Sequence, residues 1–402
     1  MVHMSTSAST HPPHLSAVLR EGERVTPLEL FFDLVFVLAL TQCTALMSAH
    51  PTWEGLARGL LALGVLWWSW VGYAWLTSVL NPEEGAVRLV MFIAMAALLV
   101  ASLCVPGAFG GDALLFAAAY AVVRAAHIAL FVLASREDAA LRRSVAGLAI
   151  STAVGVGLLL VAALAPEGWR LGIWGVALLL DMGGPFVIGA EGWRLEPVHF
   201  ADRHGAIIII ALGESIVEIG AGVRTGVDAG VVAAAVLGMA VAAALWWLYF
   251  DVVAIVAERR LRKARQGRER NEIARDSYSY LHLPMVAGIA LVAVGLKRTL
   301  GSVGQPLGLV AASEMLGGMA MYLLAHVAFR WRNIHTLNRQ RLLCAAVLLA
   351  LLPLESQIAP PSLATLGAMD ALVVALIAYE ALRFAERRDH IRHRLAREIV
   401  PD

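Results

Sequence analysis

Two carboxylates lie close together inside one of the most apolar segments of this sequence. Glu214 and Glu218 stand four residues apart in HGAIIIIALGESIVEIG, which places them one turn apart on the same side of a helix. Two ionised carboxylates at this spacing repel each other, so we expect one to be protonated or the two to share a proton or a cation. The alternative is a pair of neutral acids bonded to neighbouring helices.

Other acids have similarly apolar surroundings. Asp33 lies one turn beyond Glu29, and Glu29 completes a capping box with Thr26, which gives Glu29 a structural role. Asp181 precedes a Gly-Gly-Pro sequence, and a proline frees a carbonyl one turn earlier, as a cation site beside an acid requires. A simple kink is the alternative there. Because a carboxylate at mid-bilayer costs roughly 2.5–3.5 kcal/mol, these acids are expected to face protein or water.

Basic and aromatic side chains complete the candidate set. Arg124 lies deep in an apolar segment and is predicted to be the counter-ion of Asp33 or Glu214. Histidine can transfer protons near neutral pH, although one near a helix end is more often simply hydrogen bonded. We expect four candidates to lie near helix ends, close to water: Arg203, His204, Asp251 and His282. The first choices for a proton, cation or substrate pathway are Asp33, Asp181, Arg203, His204, Glu214, Glu218, Asp251 and His282. The secondary candidates are Glu29, Arg124, His127, Tyr280, His326 and Asp370.

Motifs for a metal or a cofactor are absent from the sequence. Cys43, Cys104 and Cys344 stand singly in apolar segments, which predicts buried thiols and neither zinc ligands nor disulfides. The chain contains no HExxH, DDxxD or Walker A pattern. We therefore predict no metal and no cofactor.

The elements that carry these residues are membrane helices. Hydrophobic residues make up 59% of the 402 and charged residues 16%, with a mean hydropathy of +0.72, whereas soluble chains are about 25% charged. Twelve stretches are apolar over about 20 residues, enough to cross a hydrocarbon core of about 30 Å as helices. The sequence predicts an all-α, polytopic membrane bundle of about twelve transmembrane helices. Its partner is the lipid bilayer, and a net charge of +1 gives no reason to expect nucleic acid.

The positions of Lys and Arg predict the orientation. These residues accumulate in cytoplasmic links, and here they concentrate in the even-numbered links and the C-terminal tail. Both termini are therefore predicted to be cytoplasmic, in a bacterial cytoplasmic membrane. Residues 1–25 are expected to form a disordered cytoplasmic tail, 257–275 a basic cytoplasmic link and 386–402 a basic C-terminal tail. The odd-numbered links are assigned only Arg58, Arg170, Arg224, Lys297 and Arg298.

Similar strings in the two halves indicate a duplication. LWWSWVGYAW in helix 2 resembles LWWLYFDVVA in helix 8, and helices 4 and 10 align so that His127 corresponds to His326. We predict a first six-helix half over 26–198 and a second over 199–385. The two would form a parallel repeat about an axis along the membrane normal, as in some transporters.

Four strings in order, ELFFDLVFV, HFADRHG, ALGESI and YLHLP, together resemble the bacterial low temperature requirement A (LtrA) family. The likeness extends over about residues 25–385. It implies a multi-pass membrane protein connected by name to growth in the cold, and it implies no settled substrate or reaction. The strings contain Asp33, Arg203, His204, Glu214 and His282.

The deep acids, the repeat and the glycine and proline breaks favour a proton- or cation-coupled secondary transporter or permease for an unknown small solute. One alternative is a membrane-embedded enzyme acting on a lipid or isoprenoid, with Asp33, Glu214 and His282 as acid and base groups. Another is a membrane sensor or partner-binding protein. The transport hypothesis expects Asp33, Asp181 and Glu214 to converge on one water-accessible cavity between the halves.

Overall fold

A computed structural model describes residues 24–83, 85–188, 191–223, 226–383 and 385 as a bundle of helices. Within these residues, twelve helical spans are long and apolar enough to cross a membrane, which confirms the predicted all-α membrane fold. Helices are required because backbone groups in lipid have no water to bond. The predicted N-terminal tail, apart from its last two residues, and the predicted C-terminal tail lie outside the described residues.

The first seven spans are single helices, and the last five include three compound spans. The first six are α1 (Pro27–Ala49), α2 (Trp53–Thr77), α3 (Gly85–Leu103), α4 (Ala113–Ala134), α5 (Ala139–Leu164) and α6 (Glu167–Ile188). Next come α7 (Pro197–Gly222) and α8 (Ala229–Phe250), the latter prolonged by α9 (Val253–Lys263). Span nine joins α10 (Arg268–Ile273), a π-helical turn (Ala274–Tyr280) and α11 (His282–Gly301). Span ten joins α12 (Gly308–Ala312), a π-helical turn (Ser313–Gly317) and α13 (Gly318–Ile334). The last two are α14 (Arg339–Ile358) and α15 (Ser362–Arg383).

The predicted basic link over 257–275 is largely helical. Three acidic residues stand among its eight basic ones, and two of them form pairs: Arg265 with Glu269 at 2.9 Å and Arg268 with Glu272 at 2.8 Å. Such pairs, four residues apart, stabilise a helix. Gly267, at φ 94°, separates α9 from α10 because this left-handed conformation strains other residues.

The most buried spans are α2 and the ninth span, which pack at the centre of the bundle. A close approach of α11 to α13 is made possible by Gly288 and Gly318. A Cβ at Gly288 would lie 2.7 Å from the carbonyl oxygen of Gly318, so only glycine fits. The cysteines Cys43, Cys104 and Cys344 are buried free thiols, as predicted.

Because successive spans alternate in direction, α1 and α7 begin at the same membrane face. We call it the near face and the opposite one the far face. Bonds between spans agree with this alternation. At the near face Asn271 donates to the carbonyl of Trp193, and at the far face Arg298 donates to the carbonyl of Met47.

Candidate functional site

An ion network of α1 and α7 lies toward the near face. Arg203 Nη1 is 3.1 Å from Glu29 Oε1, and Arg203 Nη2 is 2.6 Å from Asp33 Oδ1. The two acids stand one turn apart on α1, so one guanidinium can bind both. All three side chains are 0% exposed, which makes these ion pairs fully buried. The expectation that Arg203 lies close to water is wrong because α7 begins at Pro197, a full turn and a half before Arg203.

Polar groups from three helices complete this network. The indole of Trp70 on α2 donates to Asp33 Oδ1 at 2.8 Å. His199 Nε2 lies 2.8 Å from Glu29 Oε1, and its Nδ1 lies 3.2 Å from the Ser78 hydroxyl. Glu29 also closes the predicted capping box at the start of α1. Glu29 therefore has a structural role and an ionic one.

A pair of histidines lies directly beside the ion network. His204 Nδ1 is 2.8 Å from the carbonyl oxygen of Phe200, so Nδ1 carries the proton and Nε2 is left as a base. His204 Nε2 makes no hydrogen bond to any described residue. The ring of His282 lies 5.1 Å from that of His204, and its Nε2 accepts from the Tyr249 hydroxyl at 2.8 Å. Both histidines are 0% exposed, so the expectation of nearby water is wrong for them also.

A second network joins α1, α7 and α11 toward the far face. The Thr41 hydroxyl lies 2.7 Å from Glu214 Oε2, and the Thr44 hydroxyl lies 3.0 Å from Glu214 Oε1 and 3.1 Å from Glu218 Oε1. Lys297 Nζ lies 2.8 Å from Glu218 Oε2. Glu214 stands about 7 Å beyond the middle of α7, still well within the hydrocarbon thickness. The Thr44 hydroxyl thus contacts both acids, and the sharing of a proton or a cation between them stays a prediction.

Lys297 and Arg298 are not link charges, as the sequence suggested, because α11 continues to Gly301. Arg298 Nε lies 2.7 Å from Glu314 Oε2, and Glu314 is 0% exposed. Both basic side chains therefore neutralise acids inside the bundle. The odd-numbered links lose two of the five basic residues assigned to them.

Arg124 binds an acid of its own half of the chain. Its Nη2 lies 2.9 Å from Asp181 Oδ1 and 2.5 Å from the Thr152 hydroxyl, and Tyr120 is 3.5 Å from Asp181 Oδ2. The prediction that Arg124 is the counter-ion of Asp33 or Glu214 is wrong, because α4, α5 and α6 pack together and leave the guanidinium beside Asp181. In these contacts Asp181 binds the Arg124 guanidinium, which takes the place of the separate bound cation that was predicted there.

Arg341 of α14 forms another ionic cluster, with an acid of α15 and a histidine of α13. Its Nη2 lies 2.9 Å from Glu380 Oε2, and its Nη1 lies 2.9 Å from His326 Nδ1. These residues line a cavity of about 470 Å³ at the near face, together with Asp251 at the end of α8. Asp370 is buried, and its Oδ1 makes no hydrogen bond within the described residues.

A smaller cavity of about 70 Å³ lies between α2, α4, α5 and the ninth span. Its walls include Arg124 and His127, and the His127 ring makes no hydrogen bond to a described residue. Tyr280 packs nearby, with its ring 5.2 Å from Trp68 and its hydroxyl donating to the carbonyl of Met182. The cavity has room for a few water molecules.

The three deep acids do not converge. Asp33, Asp181 and Glu214 belong to three networks that share no residue, and none of the three lines either cavity described above. The expectation of one polar hollow between the halves is therefore wrong. Each acid is instead held by donors from the helices packed against it, although Asp33 Oδ2 makes no hydrogen bond to a described residue.

Several residues of these networks escaped the sequence reasoning. Thr41 and Thr44 stand three residues apart in LALTQCTALM, and such a polar stripe in an apolar helix is the signal that could have marked them. His199 lies in the HFADRHG string. Lys297 and Glu314 lie at the ends of apolar runs, where charges are ordinarily assigned to links.

Twelve helical spans of the described residues are long and apolar enough to cross a membrane, and together with the buried ionic networks they indicate a multi-pass membrane protein. A family model described as "Bacterial low temperature requirement A protein (LtrA)" matches residues 24–378, so the chain belongs to the LtrA family, and the resemblance is confirmed. An uncharacterized protein of Rhizobium meliloti (strain 1021) is 30% identical over 374 residues, which cover 89% of this chain and 90% of that protein. No solved structure matches the chain significantly.

Proposed function

We propose that this LtrA-family protein is a secondary transporter for a small solute, coupled to a proton or a cation, in which two six-helix halves move against each other. The observation that carries the proposal is that two buried ionisable networks lie on the contact between the halves. Toward the near face, Glu29 and Asp33 of the first half bind Arg203 of the second. Toward the far face, Thr41 and Thr44 of the first half bind the acids of α7.

These contacts have the location that alternating access needs. When two halves rock, contacts within each half are kept and contacts between the halves open on one face and close on the other. The contact between α1 and α7 has one network toward each membrane face. Polar groups are therefore available both in the state open to the near face and in the state open to the far face. The proposal no longer needs one shared cavity, because each network can open separately.

Packing and hydrogen bonding support the proposed repeat of 26–198 and 199–385. In the first half α1 packs on α2 and α3, and in the second half α7 packs on α8 and α11. The Tyr73 hydroxyl donates from span two to a carbonyl of span four at 2.9 Å, and Tyr322 donates from span ten to a carbonyl of span eight at 2.7 Å. The acids Asp181 and Glu380 lie in spans six and twelve, and His127 and His326 lie in spans four and ten, whereas their arginines lie in spans four and eleven and do not correspond.

Energetics also favour a functional reason for these ions. Buried ion pairs contribute little net stability, because desolvation offsets their attraction, and apolar residues of similar size often stabilise a protein as well or better. A bundle selected for stability alone has no need of Glu29, Asp33 and Arg203 together in its interior. The presence of these three residues is explained if the protein needs their charges in another conformation.

We further propose that both termini face the cytoplasm of a bacterial cell and that the near face is therefore cytoplasmic. With Lys297 and Arg298 inside the bundle, the odd-numbered links retain fewer basic residues, which strengthens the charge asymmetry. The larger cavity then opens toward the cytoplasm.

Transport can be tested with purified protein in vesicles. A mixture of isotopically labelled amino acids, amines, sugars and organic acids is offered under an imposed proton or sodium gradient, and accumulation is compared with empty vesicles. We expect at least one solute to accumulate only with a gradient and only with protein. Equal accumulation in vesicles with and without the protein, for every class of solute, would contradict the proposal.

The variant Glu214→Gln is expected to abolish accumulation while the protein remains folded. Glu355→Gln is the matched control, because Glu355 also accepts from a threonine, Thr365, at 2.6 Å, but between α14 and α15 and away from the contact between halves. We expect Glu355→Gln to transport normally. Normal transport by Glu214→Gln would remove this acid from the mechanism.

The enzyme alternative has no comparable support. Neither of the two cavities described above is lined by Asp33, Glu214 or His282, the acid and base groups that it requires. An acid or base must lie within hydrogen-bond reach of the reacting group.

A further inference from the structure

The hydroxyls of the far-face network have too few protons for the contacts they make. Thr41 Oγ1 contacts the Val37 carbonyl at 3.1 Å and Glu214 Oε2 at 2.7 Å. Thr44 Oγ1 contacts the Thr41 carbonyl at 2.9 Å, Glu214 Oε1 at 3.0 Å and Glu218 Oε1 at 3.1 Å. Carbonyl and ionised carboxylate oxygens only accept. Two hydroxyl protons therefore serve five contacts between oxygens.

A third proton on one of the carboxyl groups supplies a missing donor. If Glu214 Oε1 carries it, Glu214 donates to Thr44, and the Thr44 hydroxyl is free to donate to Glu218. Glu214 Oε2 then accepts from Thr41. Both acids are satisfied, and the repulsion between two ionised carboxylates one turn apart disappears.

The charges around the pair decide which acid holds the proton. Lys297 Nζ lies 2.8 Å from Glu218 Oε2 and stabilises the ionised form of Glu218. Within the described residues no ion pair reaches Glu214, whose neighbours are the two threonines, Glu218 and the buried Cys43 thiol; the Lys297 charge acts on it only from farther away than on Glu218. The next charges, Arg298 and Glu314, neutralise each other.

We infer that Glu214 is a proton-binding site, that Thr44 transfers its proton to Glu218, and that the coupling ion of the proposed transport is therefore a proton. The inference rests on the proposed transport function for its purpose, although the site itself is measurable without transport. In the transfer, the Glu214 O–H bond breaks as its proton passes to Thr44 Oγ1. The Thr44 hydroxyl proton passes at the same time to Glu218 Oε1. One proton moves, Thr44 is unchanged, and the negative charge moves from Glu218 to Glu214.

The exit from this chain leads to the far face. Glu218 lies one turn further than Glu214 toward the end of α7, and Lys297 lies in the last turns of α11. The Lys297 side chain is 20% exposed, whereas Glu218 is 3% exposed, so the lysine end of the chain is the more accessible one. A proton that reaches Glu218 therefore lies at the more accessible end of this network, beside Lys297.

Infrared spectroscopy of the full-length protein in lipid tests the site directly. A protonated carboxyl group has a C=O stretching band separate from that of a carboxylate. At neutral pH we expect one such band to be present in the wild type and in Glu355→Gln, and to be lost in Glu214→Gln. Retention of every protonated-carboxyl band in Glu214→Gln would overturn the inference.

The Thr44 step is tested by the rate at which that band shifts after transfer into D₂O. Thr44→Val keeps the shape of the side chain without the hydroxyl, and we expect it to keep the band and to slow the exchange by on the order of 100-fold. Thr44→Ser restores a hydroxyl and should restore the rate. Exchange in Thr44→Val as fast as in the wild type would remove Thr44 from the path.

A sodium titration separates a proton from a metal cation. We expect the band to be unchanged by sodium ions at constant ionic strength and pH. Loss of the band on adding sodium would show that the site exchanges its proton for a cation, and would overturn the assignment of the proton as the coupling ion. If Glu214 is protonated but the protein accumulates no solute, the proton site stands and the transport proposal is refuted. If solute accumulates without that band, transport stands and the proton site is refuted.

Discussion

Arg203 offers the most direct measure of what holds α1 and α7 together. The variant Arg203→Gln removes both ion pairs of this side chain, at 3.1 Å to Glu29 and 2.6 Å to Asp33, from a site with no exposure to solvent. Removing one partner of a buried pair destabilises a protein by about 3–5 kcal/mol, because it leaves uncompensated charge. Here Asp33 keeps only the Trp70 indole as a donor, at 2.8 Å. We expect a loss of that size in the free energy of unfolding.

Asp33→Asn should cost less than Arg203→Gln. The guanidinium then still binds Glu29, so only one charge-assisted bond is lost, at about 1.5–3 kcal/mol. In the double variant, Asp33→Asn with Arg203→Gln, no uncompensated charge remains at position 33. The free energy of unfolding that it loses should therefore be smaller than the sum of the two single losses by roughly 0.5–3 kcal/mol. The assay is equilibrium unfolding by SDS in mixed micelles, with the four proteins compared in one buffer.

Arg58→Gln is the control for a nonspecific effect of losing an arginine. Its partners Glu54 and Glu167 are 60% and 69% exposed, so their pairs with Arg58 contribute about 1 kcal/mol or less. A loss in Arg203→Gln no larger than in Arg58→Gln would refute the reasoning. Strict additivity in the double variant, within about 0.5 kcal/mol, would show that Asp33 and Arg203 do not act as a pair.

Three further predictions concern caps, packing and orientation. The backbone N–H of Leu141 lowers the pKa of the Asp138 carboxyl, which is the N-cap of α5. The cap therefore stabilises the folded protein at pH values above the unfolded pKa of 3.8, and this stabilisation is lost as the pH falls through the lower folded pKa. In unfolding measured against pH, Asp138→Ala should cost about 1 kcal/mol near neutral pH and much less in acid. Gly288→Ala should lower the melting temperature, because its Cβ would meet a backbone oxygen at 2.7 Å, whereas Gly157→Ala has open space and should leave it unchanged or slightly higher. Glu137 is exposed and lies between α4 and α5, in a link that is proposed to be cytoplasmic. Glu137→Cys should therefore react with an impermeant maleimide only after the cells are opened. Labelling in intact cells would show that the orientation is the opposite of the proposed one.

Hydropathy and helical periodicity predict much of this molecule. All twelve spans follow from apolar length, because lipid excludes other backbone structures in a single segment. The placement of Glu29 and Asp33 on one face of α1, and of Glu214 and Glu218 on one face of α7, follows from a spacing of four residues. These predictions depend only on neighbours along one helix.

The partners of the ions depend on which helices meet, and no periodicity within one helix contains that information. Arg124 finds Asp181, which is 57 residues away, because α4 and α6 pack on opposite sides of Thr152. Arg203 finds Asp33 across 170 residues. The assignment of Lys297 failed for another reason: the apolar run ends before the helix does, so a charge in the last turns of a span resembles one in a link.

The separation of Arg124 from Asp181 has a consequence for how the protein is made. At about 5–20 residues per second, the ribosome adds the 57 residues between them in roughly 3–11 s. Throughout that interval α4 contains a guanidinium at its centre, at an insertion cost of about 2.5–3.5 kcal/mol, and the acid that neutralises it has not yet been synthesised. The nascent chain must therefore keep α4 beside the translocon, or beside helices already inserted, until α6 emerges to join it.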